Sequence, residues 1–160
     1  MKKISLLFVL LVLVSCMFST SVQAKGGLGD NDAFSAYYGK TKSEVRKIAP
    51  SLSEWEDGFY IVDAVSDEDE ILAILLKFDK YNVVDGVIVL VTSGILKDLD
   101  LENSLVGAGT IGLITLGFEA DDIKRTSTEN DNLYLYLRSG IYVGVTELYT
   151  NIYMITALQN

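Results

Sequence analysis

The 160-residue chain contains no histidine and a single cysteine, Cys16. Imidazole is the usual general base near neutral pH and the commonest metal ligand. Its absence removes Ser-His-Asp and Cys-His catalysis and histidine zinc sites. Carboxylates, lysines, serines and tyrosines remain. A glycosidase-type pair of acids needs a sugar cleft between its two carboxyls; Asp63, inside an apolar run, is one conceivable member, but a chain this short leaves little room for the cleft. Asp98, Asp100 and Glu102, or the acidic run Asp67–Glu70, could offer oxygens to Ca²⁺. An EF-hand loop starting at Asp98 would need glycine at its sixth position and glutamate at its twelfth, where this chain has Asn103 and Gly109. Asp67–Glu70 reads instead as a solvated turn that keeps a sheet edge soluble. No catalytic residue, metal site or cofactor is expected.

The tyrosines carry a stronger signal. There are nine of them and one tryptophan, Trp55. Both residue types suit interfaces, where a large apolar area with a polar tip is immobilised at little entropic cost. They concentrate in Leu133–Leu158, three β-type runs broken at Ser139-Gly140 and near Glu147–Asn151. A two-residue turn at Ser139-Gly140 would mix aliphatics with tyrosines on both faces. A three-residue turn, with Gly140 in the left-handed conformation, pairs Leu137 with Ile141. Leu133, Leu135, Leu137, Ile141, Val143 and Val145 then share one face, and Tyr134, Tyr136 and Tyr142 the other. A slip of one residue reverses every side chain, so burial selects the second register. The aliphatic face is the predicted core. The tyrosine face is either covered by a helix, or lines a cavity for a small apolar ligand, or meets a partner. The partner-binding set is Tyr134, Tyr136, Tyr142, Tyr153 and Trp55.

The elements that position these residues follow a secretory signal peptide. Lys2 and Lys3 precede the apolar run Ile4–Phe18, and Ser19–Ala24 ends in Val-Gln-Ala, a small-x-small cleavage site. Cleavage after Ala24 removes both lysines and no acid, so the net charge moves from −9 to −11. An acidic chain is ill-suited to nucleic acid or anionic membrane and well suited to basic partners. It also leaves no cysteine. Leu13-Val14-Ser15-Cys16 resembles the lipobox of bacterial lipoproteins, so the alternative is a lipid anchor through Cys16. The predicted location is export, periplasmic or secreted, or membrane-anchored if Cys16 is acylated, with no transmembrane segment in the mature chain.

Residues 25–32 read as a glycine-rich leader and 33–160 as one α+β domain. Order should begin near Ala33–Tyr38. Thr41-Lys42-Ser43-Glu44 is a capping box, and Pro50 ends the helix Lys42–Ala49. Ser51–Gly58 reads as a connecting loop with room for one helical turn. Strands follow at Phe59–Val65, Ile71–Phe78 and Val87–Thr92. Ile71–Phe78 is almost continuously apolar and is expected to be covered on both faces. Both Asp79–Asn82 and Asp85-Gly86 have turn composition. Asp98, Asp100 and Glu102 could charge the first turn of a helix, and Thr110–Leu116 is a helix with Gly117 as its C-cap; the glycines between 107 and 117 argue against one continuous helix there. Strands then run at Asp122–Thr128, Leu133–Leu137, Ile141–Val145 and Thr150–Leu158. Helix, strand, strand, strand thus occurs twice, suggesting sub-repeats 34–95 and 101–158. The fold predicted is an antiparallel sheet with short helices packed on one face, built from a duplicated helix-strand-strand-strand unit.

Gly39-Lys40-Thr41-Lys42-Ser43-Glu44-Val45, followed by a helix and three strands, resembles the Gly-x-Thr-x-x-Glu-Val motif of small exported bacterial proteins. These are the β-lactamase-inhibitor-protein-like and outer-membrane-assembly lipoprotein (SmpA/OmlA) families. Pro50 stands where their helix ends in Leu-Gly. The resemblance implies a helix-plus-sheet module that binds proteins and catalyses nothing. Residues and resemblance together predict a non-catalytic protein-binding module of inhibitor, immunity or envelope-assembly type. A carrier of small apolar ligands and a carboxylate-only hydrolase are the competing classes.

Overall fold

A computed structural model describes residues 32–56, 58–67 and 70–159. The predicted signal peptide, Cys16 and the predicted leader up to residue 31 lie outside the described residues. Helices α1 (Ala33–Tyr37) and α2 (Lys42–Ile48) precede strands β1 (Ser53–Glu56), β2 (Phe59–Asp67), β3 (Glu70–Phe78) and β4 (Val84–Thr92). Helices α3 (Ser93–Asp98) and α4 (Leu105–Leu116) and a 3-10 turn at Ala120–Asp122 come next. Strands β5 (Ile123–Glu129), β6 (Asn132–Leu137), β7 (Ile141–Tyr149) and β8 (Ile152–Gln159) complete the chain. All strands join one antiparallel sheet in the order β1-β2-β3-β4-β8-β7-β6-β5. Two helices followed by four strands therefore occur twice, and the two sets meet at β4 and β8. The fold is α+β, as the sequence predicts. No helix among the described residues is long and apolar enough to cross a membrane.

The hairpin β6–β7 adopts the three-residue turn: Gly140 has φ +86°, its N–H donates to the Leu137 carbonyl at 3.1 Å, and Tyr136 pairs with Tyr142. Leu135, Leu137, Ile141, Val143 and Val145 are buried on one face, joined by Ile155 and Ala157 of β8 and by Leu76, Val87 and Val89. The helices cover this face. Phe34, Val45, Leu96, Ala108, Ile111 and Leu116 supply their buried residues to the same core.

Three readings are corrected and one open choice is settled. Ser53–Glu56 is an edge strand, not part of a loop, because Glu54 pairs with Tyr60 and Ser53 with Ile61. The β3–β4 turn is Asp79–Asn82, where the Asp79 carboxylate accepts from the N–H groups of Tyr81 (2.8 Å) and Val83 (3.0 Å); Gly86 lies inside β4. Asp98 ends α3, and Asp100 and Glu102 precede α4, whose N-cap is Ser104. Finally, α4 is continuous from Leu105 to Leu116 despite its glycines. A Cβ on Gly112 would lie 2.4 Å from Ile155 Cγ2, and one on Gly109 would lie 3.3 Å from Val145 Cγ2. These glycines give up helix propensity to let the helix approach the sheet. Gly117, at φ +87°, ends it.

The Thr41–Glu44 capping box forms: Thr41 N–H donates to Glu44 Oε2 at 2.8 Å, and Glu44 N–H to Thr41 Oγ1 at 3.3 Å. The hydrogen bonds from Thr41, side chain first and backbone second, hold the Glu44 carboxyl below its ordinary value. A carboxylate depressed in the folded state adds stability above its unfolded pKa and loses it as pH falls through the folded one. Thr41→Ala should cost about 1 kcal/mol at neutral pH. That deficit should shrink on acidification below the ordinary carboxylate range, measured by urea unfolding across pH.

Candidate functional site

The sheet face turned away from the helices is fixed by the strand registers. Ser127 of β5 pairs with Tyr134, Tyr134 with Gly144, Gly144 with Thr156, Thr156 with Ile88, Ile88 with Leu75 and Leu75 with Ile61. Directly paired residues point to one side, so these side chains form a row across the sheet. A parallel row runs from Arg125 through Tyr136 and Tyr142 to Leu158. A third runs from Asn132 through Thr146, Met154 and Leu90 to Ala73.

The resulting surface has two halves. On the β1–β4 side, Ala73, Leu75, Ile88 and Leu90 are buried beneath Trp55, Phe59, Ile61, Leu148 and Met154. The expectation that the third strand is buried on both faces therefore holds for Ala73 and Leu75, but side chains of neighbouring strands provide the second cover, not a helix. Trp55 occupies the bulge between Glu54 and Glu56 in β1. Its indole N–H is buried without a hydrogen-bond partner.

On the β5–β7 side the tyrosines cluster. Tyr134 stacks on Tyr142 with ring centroids 5.6 Å apart at 22°, and Tyr136 meets Tyr142 edge-on at 5.4 Å and 63°. Gly144 lies beside this pair, where a Cβ would sit in ordinary contact, 3.7 Å from both Tyr134 and Tyr142. The Arg125 guanidinium lies 5.4 Å from the Tyr136 ring centre, a cation–π arrangement. Burial, then the neighbouring Tyr134 and Tyr136 and the Glu129 carboxylate, push the Tyr142 hydroxyl pKa up. It stays neutral near physiological pH, able both to donate and to accept. The three tyrosines are half-buried, packed on one another with no helix above them among the described residues.

Tyr153 does not belong to this face. It alternates with Ile155 and Ala157 and is only 3% exposed among the core residues under the helices. Its hydroxyl donates to Asn103 Oδ1 at 2.8 Å, and Asn103 Nδ2 donates to Asn151 Oδ1 at 2.8 Å. Alternation in β8 leaves the choice open, because the opposite face carries Ile152, Met154 and Leu158; the pairing of β8 with β4 and β7 puts Tyr153 on the core side. Phe59, Ile61, Leu148, Met154 and Arg125 are the members that sequence reasoning missed. Their strands read as continuously apolar or as polar edge, which hides which face is open.

Asp63 lies in β2 opposite Ile74. Asp98, Asp100 and Glu102 do not converge, and among the described residues no three acidic groups come together as a metal site. An open cleft of about 570 Å³ is lined by Ser93, Lys97, Asp100, Leu101, Glu102, Asn103 and Asn151. Six of its seven lining residues are polar or charged. No protein-family model matches the chain, and neither a curated protein nor a solved structure is significantly similar to it.

Proposed function

We propose that this protein is an exported, non-catalytic binding module that holds a partner protein against the helix-free face of its sheet. One observation carries the reading: the uncovered face bears three clustered tyrosines beside a strip of Trp55, Phe59, Ile61 and Met154. Rigid aromatic anchors beside aliphatic area are the composition that binding hot spots favour. The signal-peptide pattern of residues 1–24 supports export, and acylation of Cys16 is the alternative route to the envelope. The net charge, −9 for the full chain and −11 once residues 1–24 are removed, would steer a basic partner toward the molecule. An apolar-ligand carrier gains no support from the polar cleft beside α3, and a hydrolase gains none from scattered carboxylates.

The reading is tested by a photo-crosslinking amino acid placed at Tyr136, or at Val106 on the outer side of α4, in cells of the native host. Tyr136 should give a defined crosslinked protein, and Val106, 64% exposed, should not. Equal crosslinking from both positions, or none from Tyr136, would remove the sheet face as the binding surface.

A further inference from the structure

The two edges of the sheet differ. β1 has four residues, a bulge at Trp55 and glutamates on either side of it, the devices by which sheets discourage edge pairing. β5 has seven residues, and its register shift lies at its start, between Ile123 and Arg125. Lys124, Arg125, Thr126, Thr128 and Glu129 are exposed. Among the described residues β6 is its only strand neighbour.

We propose that β5 is a dimerisation edge, pairing antiparallel with β5 of a second copy about a two-fold axis at Ser127. Cross-strand pairs share a face, so the axis must pass where a residue meets its own copy. Thr126 and Ser127 are the central choices. The turn between β5 and β6 is Asn130-Asp131, with φ +51° and +61°, closing on Glu129 and Asn132. A two-residue turn of this kind makes that closing pair hydrogen-bonded, and bonded pairs alternate along the strand. Glu129 and Ser127 therefore direct their backbone groups to β6, leaving those of Thr126 and Thr128 pointing outward.

With the axis at Ser127, Thr126 of each copy meets Thr128 of the other in a hydrogen-bonded pair. Arg125 then stands opposite Glu129 of the other copy, once on each side of the axis. Threonine pairs and opposite charges are favourable cross-strand partners. With the axis at Thr126, Arg125 would meet Ser127 and Ile123 would meet Glu129, so the charge match is lost. The dimer would join the two sheets and set both tyrosine clusters side by side. It does not depend on what the open face binds.

Sedimentation velocity of the purified protein across the micromolar range should show a monomer–dimer equilibrium. Thr126→Pro removes an outward N–H that β6 does not use; it should leave circular dichroism unchanged and abolish the dimer. Arg125→Glu and Glu129→Arg each oppose like charges twice and should weaken association about tenfold, while the double variant should recover wild-type strength. A protein monomeric throughout, a dimer that survives in folded Thr126→Pro, or a double variant as weak as the single ones would overturn the proposal. So would open-ended polymers blocked by Glu54→Lys, since those would join β5 to β1.

Discussion

Gly112→Ala is expected to destabilise the protein by about 1–3 kcal/mol, the usual cost of forcing a methyl into a packed core. Helix propensity alone predicts the opposite sign, because alanine is about 1 kcal/mol better than glycine in a helix interior. Packing wins here because the new Cβ would lie 2.4 Å from Ile155 Cγ2 and 2.9 Å from Ile155 Cβ. Ile155 is a fully buried, β-branched residue in the middle of β8, so it has neither rotamer freedom nor space to retreat. Gly109→Ala is the control: its Cβ would meet Val145 Cγ2 at 3.3 Å, a contact that a small shift relieves. Its cost should stay within about 1 kcal/mol as the gain in propensity offsets the crowding. Urea unfolding of both variants measures the difference. A Gly112→Ala protein as stable as the parent would mean that α4 does not sit this close to β8.

Tyr134→Ala/Tyr136→Ala should leave a folded protein and weaken capture of the partner by about 1,000-fold, since two interface anchors at about 2 kcal/mol each are removed. The structural cost should be modest, because both rings are half-buried and lie on the face without helices. Tyr153→Ala is the contrasting case. Its ring is buried under the helices and its hydroxyl bonds Asn103, so truncation should cost about 3–5 kcal/mol in stability. Thermal unfolding and binding to the crosslinked partner, measured on both variants, separate interface from core. Loss of several kcal/mol in the double variant would assign Tyr134 and Tyr136 to the core instead.

Much of this architecture is legible in the chain because short-range rules govern it. The hairpin Leu133–Val145 allows one register that puts all its aliphatics on one face, and Gly140 permits the turn that sets it. The Thr41–Glu44 box and Gly117 mark helix ends through hydrogen bonds formed within a few residues. Both depend only on neighbouring residues, so sequence suffices.

Other features were decided by contacts distant in sequence. The residues of α4 by themselves say nothing of the nearby Ile155 or of the approach that Gly112 allows, so a glycine-rich stretch looked unsuited to one helix. Ser53–Glu56 becomes a strand because β2 offers it an edge, not because its own residues favour one. The acids at 98–102 could charge a helix start on pattern alone, yet α3 ends at Asp98 and α4 begins after Ser104. The tyrosine face shows the division most plainly. Alternation in β6 and β7 determined that Tyr134, Tyr136 and Tyr142 share a side, whereas only the pairing of β8 with β4 and β7 put Tyr153 on the other. Which side received the helices was fixed only when α4 packed on β4, β7 and β8, because that placement buries the larger aliphatic area.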